Sequence, residues 1–410
     1  MLDGVRLVVS PETTALALAF VLGGIMLGTL SGLTPGLHVN NLALLLAAAA
    51  PAVPGPPVMV GAAMIAAGVM HTFLEIVPTL AIGVPDPAMA PTALPGHRLV
   101  LGGRGREALR LSALGSGLAV AFAAPLAIPV TLGMQEIYPH LRRHLTLVLG
   151  ALVAFLVFTE PSWRSRLGGL AAFAGSAALG VAILDSSPAG PLPTGDVLAP
   201  LFAGLFGVPV LLDAAGGDGV PQQADATVAH SRRTVGAVAG LGMLAGAAVG
   251  YLPGISSAIA AAVVLFLVPG NLGARGFVVA TSGVNTANAV FALFALVSLG
   301  TPRTGVLVAV ERASVPLNLP LLLGSVCLAA AAGFVAVPTI GDRYLRTVGR
   351  LDPTRLSMAV LALLAGLSVL FAGGIGLLAL VAASLVGLVP PRFGARRVHL
   401  MGVLIGPLML

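Results

Sequence analysis

The sequence predicts an all-α, polytopic integral membrane protein of about 11–13 segments, and three observations carry that expectation. Apolar residues fill 57% of the 410 positions and charged residues 9%, where a soluble domain is about half apolar and about a quarter charged. The apolar residues come in long runs, and roughly 20 of them in a helix cross the ~30 Å hydrocarbon layer. Blocks such as Leu111 to Val130 lack the period-two alternation of a membrane β-barrel.

In chain order the runs fall near residues 14–33, 37–53, 57–82, 108–133, 145–158, 167–184, 197–212, 234–252, 255–269, 276–300, 314–338, 356–371 and 375–390, with a short apolar tail after Arg397. Asp3 and Glu12 flank the first run, which is unlike a cleaved signal peptide, so the first helix is expected to be retained. Runs 37–53 and 255–269 are short and follow Pro-Gly, as half-helices or re-entrant elements would. The polar stretch 213–233 separates a first membrane half, 1–212, from a second, 234–410, and its Gly, Pro and Gln content reads as a linker. The single Cys327 lies in an apolar run and reads as a small core residue. One thiol makes neither an intramolecular disulfide nor a thiol metal site.

Every basic residue is Arg, and the net charge of +6 sits between apolar runs, where it sets topology rather than binding nucleic acid. Counting each run as one crossing puts the Arg clusters at 98–110, 164–166, 232–233, 343–355 and 392–397 on one side, with Arg142 and Arg143 on the other. The positive-inside rule makes the first side the cytoplasm of a multi-pass cell-membrane protein, with the N-terminus outside and the C-terminus inside.

The two halves resemble each other. Gly24-Ile-Met-Leu-Gly28-Thr-Leu-Ser-Gly32-Leu-Thr-Pro35-Gly36 matches Gly242-Met-Leu-Ala-Gly246-Ala-Ala-Val-Gly250-Tyr-Leu-Pro253-Gly254. Further on, Gly68-Val69-Met70-His71-Thr72 resembles Gly283-Val284-Asn285-Thr286, and each continues to a Gly-x-Pro, at Gly83 and at Gly300. The units span about 14–110 and 234–313, and an odd number of crossings between them makes them inverted. Inverted repeats are a common architecture of secondary transporters, with binding sites on broken helices near the midplane.

Pro-Gly supplies such a break. Proline removes a backbone donor, and glycine accepts the bend that follows. A helix that restarts within the membrane presents free amides and a positive dipole end. The candidate substrate-binding residues are therefore Pro35, Gly36, His38, Asn40 and Asn41 at the first break and Pro253, Gly254, Ser256 and Ser257 at the second, with Asn285, Thr286 and Asn288 from the second-unit helix. At each, packing or helix capping is the plainer role.

These residues resemble the large membrane subunit of tripartite tricarboxylate transporters, the TctA family. The likeness covers both halves. It rests on Leu-Thr-Pro35-Gly36-Leu and Leu-Pro253-Gly254-Ile, on the stretch from Ile82 through Pro85, Thr92 and Gly96 to His97, and on Gly103-Arg-Gly-Arg-Glu107-Ala-Leu. The form Pro-Gly-Leu-His38-x-Asn40 is similar to a divergent, mostly archaeal branch of TctA-like membrane proteins. The resemblance implies a permease, and in tripartite systems it implies accessory transporter subunits as partners.

His71 and Glu75, four apart on one helix face, are coupling candidates for H+ or Na+, or else a hydrogen-bonded packing pair. No third ligand accompanies them, so no metal or other cofactor is expected. Arg303 falls on the outside by the crossing count and is the anion-pairing candidate. The leading reading is a secondary transporter, and not an enzyme, moving a small organic anion such as a carboxylate across the lipid membrane. Two others stand beside it: a flippase of an anionic lipid carrier such as polyprenyl phosphate, and, last, an intramembrane enzyme.

Overall fold

The computed structural model describes residues 10–410 apart from 36, 84–89, 187, 193–196, 216–218, 226, 253–256, 265–266 and 269–271, with backbone alone at 90–94, 258, 259 and 262. Regular structure among the described residues is entirely helical. The chain runs α1 Pro11–Gly32, α2 Val39–Ala49, α3 Pro57–Leu74, α4 Ile76–Ile82, α5 Ala90–Leu101, α6 Gly105–Arg143, α7 Leu145–Phe158 and α8 Trp163–Ile183. The remainder is α9 Leu198–Phe202, α10 Val208–Ala214, α11 Arg232–Tyr251, α12 Ser257–Val264, α13 Gly273–Leu299, α14 Gly305–Arg312, α15 Leu319–Val348, α16 Pro353–Gly387, α17 Val389–Phe393 and α18 Gly402–Met409. Eight stretches among the described residues are long and apolar enough to cross a membrane, and four shorter apolar ones accompany them, within the number expected from sequence.

Small residues set the closest crossings. Gly24, Gly28 and Gly32 lie along one face of α1, and a Cβ on any of them would strike the backbone of Ala63, Ala67 or His71 in α3. Gly242, Gly246 and Gly250 of α11 repeat the arrangement against Ala280, Val284 and Phe291 of α13. Glycine-lined contact of this kind is how membrane helices gain packing without a hydrophobic driving force. In both pairs the contacts advance in the same direction along the two helices, so α1 runs parallel to α3 and α11 to α13. A re-entrant element between them would have left each pair antiparallel. The short helices α2 and α12 therefore lie on segments that carry the chain back. The return after α2 ends at Gly55, packed on the Phe20 ring, more than two turns short of the start of α1.

The pairs run in opposite senses. Helix α6 is parallel to α13, with Ser112 hydrogen-bonded to Ser282 and Thr286 to Ser116, both at 2.8 Å. It is antiparallel to α15, where Leu109 meets Gly341 and Phe334 meets Gly117. Helix α15 is in turn parallel to α3, since Val315, just before α15, packs on Gly61 while Gly333 packs on Phe73. Both units end on a left-handed glycine, Gly83 (φ 75°) and Gly300 (φ 64°). Those caps, and the contacts of Gly28 with Ala67 and Gly246 with Val284, keep one separation. That register places His71 opposite Asn288 and differs by two residues from the sequence match of Gly68 with Gly283.

Some expectations need correction. Helices α5 and α14 were not among the apolar runs, because charged and Pro residues keep them short and polar. Helix α6 continues ten residues past 133 to Arg143; its 39 residues would measure about 58 Å if straight. Runs 356–371 and 375–390 join as α16, but Gly373 breaks it at φ 59°, ψ −145°. A Cβ on Gly376 would meet the Ser368 carbonyl, so the chain folds back on itself there. Cys327 is exposed on α15, not in the core.

The five Arg clusters gather at one end through a chain of contacts. Arg106 pairs with Asp342 at 2.6 Å, and Glu107 accepts from Arg104, Arg275 and the Ala229 amide. Thr354 donates to the Ala215 carbonyl, Arg397 lies 3.4 Å from Asp213, and Arg164 donates to the Arg392 carbonyl. Buried Glu160 accepts from Arg396 and His399, at 2.8 and 2.9 Å.

Candidate functional site

A cavity of about 380 Å³ lies where α2, α3, α13 and the approach to α14 converge. His38, Asn40, Ser257, Asn285, Asn288 and Arg303 all line it, so the structure brings six of the candidates to one place. Pro35 does not line it, nor do Asn41 and Thr286. Thr286 bonds Ser116 instead, and the buried Asn41 side-chain carboxamide has no hydrogen-bond partner among the described residues. Gly36, Pro253, Gly254 and Ser256 lie outside the described residues.

The helix starts at the cavity are capped by their own residues. His38 Nδ1 accepts the Asn40 amide at 2.9 Å, as N-cap of α2. Asn40 Oδ1 in turn accepts the Gly305 amide of α14 at 3.2 Å, and Thr304 Oγ1 accepts from Leu307 at 3.4 Å. Ring and hydroxyl oxygens or nitrogens here take the place an anion would occupy at an open helix start. At the first break, His38 thus takes the capping alternative and holds the Asn40 amide.

The cationic group is Arg303. Its Nη2 donates to Tyr138 at 2.5 Å, its guanidinium sits 5.2 Å from the Tyr138 ring centroid, and its buried Nε has no partner among the described residues. No Asp or Glu lines the cavity among the described residues. Asn288 Oδ1 is also buried without a partner. Apolar lining comes from Leu198 and Phe202 of α9 and from Met401 and Leu404 near the C-terminus, with His38 stacked 5.9 Å from Phe202.

One layer behind, Asn285 donates to Glu75, and His71 Nε2 lies 3.4 Å from Glu75 Oε2. Ser31 Oγ lies 2.9 Å from His71 Nδ1 and 3.2 Å from the Gly28 carbonyl. The row Ser31–His71–Glu75–Asn285 links α1, α3 and α13 and ends at the cavity.

Sequence reasoning missed Tyr138, Thr304 and the α9 wall. Tyr138 lies past the apolar run of α6, and Phe202 precedes a π-turn at Ala203–Gly207 that no periodicity announces. Such π-turns recur at functional sites.

The comparisons with known proteins agree with this architecture. The model of the tripartite tricarboxylate transporter TctA family matches residues 18–402. An uncharacterized protein of Methanocaldococcus jannaschii is 26% identical over 356 residues, which covers 84% of each chain. No solved structure matches the chain. With nearly all the chain inside the matched region, this multi-pass membrane protein belongs to the tripartite tricarboxylate transporter TctA family.

Proposed function

We propose that the chain is a secondary transporter that binds a small organic anion in the 380 Å³ cavity and moves it across the cell membrane. The observation that carries this reading is Arg303, a cation lining a cavity that no carboxylate lines among the described residues. A cation so placed recruits an anion, because in a low dielectric its charge is only weakly screened. The α1–α3 and α11–α13 pairs act as inverted repeats, supported by their opposed directions and matching glycine caps. Rocking of one against the other exposes the cavity to each side in turn.

Coupling rests on His71 and Glu75. His71 Nε2 and Glu75 Oε2, 3.4 Å apart, are close enough to exchange a proton, and H+ is taken as the driving ion. In this reading the cytoplasm lies at the Arg-rich end, and the tripartite family description supports accessory subunits as partners.

The test is purified protein in liposomes, offered tri-, di- and monocarboxylates under an imposed proton gradient. Uptake of at least one, weakened about 10- to 100-fold in Arg303→Gln, is the expected result. Full uptake in that variant overturns the site. Absent anion uptake with transbilayer movement of a labelled polyprenyl phosphate would replace the reading with the flippase. Glu75→Gln is expected to abolish gradient-driven accumulation while exchange across the membrane persists; accumulation in that variant removes the pair from coupling.

A further inference from the structure

The cavity combines one arginine with many apolar side chains, and this bears on what fits it. Arg303 and Asn288, whose buried carbonyl oxygen has no partner among the described residues, both line it. No second Arg lines it among the described residues. His38 accepts the Asn40 amide on Nδ1. The amides of Asn40, Gly305 and Leu307, which an additional carboxylate would seek, are already bound by His38, Asn40 and Thr304. The apolar lining includes Leu198, Phe202, Met401 and Leu404, and Phe202 and Met401 are almost wholly buried.

We infer that the substrate is a monocarboxylate with an apolar body, its carboxylate on Arg303 and its hydrocarbon against Phe202, Met401 and Leu404, and not a compact polyanion. The inference rests on the transporter reading and sharpens it. A tricarboxylate would bring two uncompensated charges against the apolar wall, where an unpaired carboxylate is costly. A hydrocarbon body gains there instead, by about fourfold in affinity for each methylene it buries.

Calorimetric titration of the full chain in detergent with acetate, butyrate, hexanoate and citrate tests this. Affinity is expected to climb about fourfold per methylene along the straight-chain series. Citrate is expected not to compete with hexanoate. The climb is expected to flatten in Phe202→Ser and to vanish in Arg303→Gln. A climb that survives both substitutions is partition into the micelle and overturns the inference. Tighter binding of citrate than of any monocarboxylate overturns it too, and leaves the anion-transporter reading standing. Failure of all four anions to bind overturns both.

Discussion

The asparagines divide labour that the sequence presented as equivalent. Asn40 holds the Gly305 amide and so fixes the start of α14, whereas Asn288 leaves its carbonyl oxygen unpartnered at the cavity. Asn40→Ala is therefore expected to lower stability by about 0.5–1.5 kcal/mol as well as uptake, and Asn288→Ala to lower uptake with an unchanged melting temperature. Melting curves run beside the uptake assay separate the two; an equal drop in stability for both would assign Asn288 to packing. Glu160 is another residue that composition alone did not single out. Burial opposes its charge, but hydrogen bonds from Arg396 and His399 outweigh burial and hold its carboxyl below the usual carboxylate range. A depressed carboxyl contributes stability above the unfolded value and loses it as pH falls through the folded value. Acid is thus expected to lower the melting temperature of the natural protein below the ordinary carboxylate range. Glu160→Gln should be less stable at neutral pH by about 1.5–3 kcal/mol and should lack that acid step.

At the scale of elements, the long apolar runs were legible because hydropathy reports burial in lipid directly. The glycine rows were legible too, since spacing of four puts Gly24, Gly28 and Gly32 on one helix face. Substituting Leu for Gly28 or Gly246 forces a side chain into the Ala67 or Val284 carbonyl and is expected to cost at least about 1–3 kcal/mol, read as loss of monodisperse protein. Normal yield and melting in both variants would refute close packing as the role of these rows. What stayed hidden were elements defined by their neighbours. Helix α14 carries Glu311 and Arg312 and looks like a loop until Asn40 caps it. Phe202 belongs to a short helix whose place beside His38 is set by packing across the two halves. Half-helices were foreseen at both Pro-Gly pairs, but their direction followed only from the parallel run of α1 with α3 and of α11 with α13.

For the whole molecule, the Arg clusters gather at one end, and the α1–α3 pair runs opposite to the α11–α13 pair. The expected inside C-terminus is corrected, because α18 climbs along α8 from His399 at Gly169 to Val403 at Gly180, away from the Arg clusters. On the proposed orientation, with the cytoplasm at the Arg-rich end, a green fluorescent protein inserted in the polar stretch 213–233 is expected to glow. An active alkaline phosphatase in its place would reverse the orientation. The sequence predicted the clustering by counting crossings. It had no means of pairing Arg106 with Asp342 or Glu107 with Arg275, contacts between residues far apart in the chain.

Cys327, exposed on α15, gives the natural sequence a built-in attachment point. It is the chain's single thiol, so a membrane-permeant maleimide carrying a spin or fluorophore labels one defined position with no engineered background. Helix α15 packs on α3 and α6 yet lends no side chain to the cavity, so the label reports movement without touching substrate. A spectrum that changes when anion is added makes α15 part of the moving body; an unchanged one makes it part of the frame.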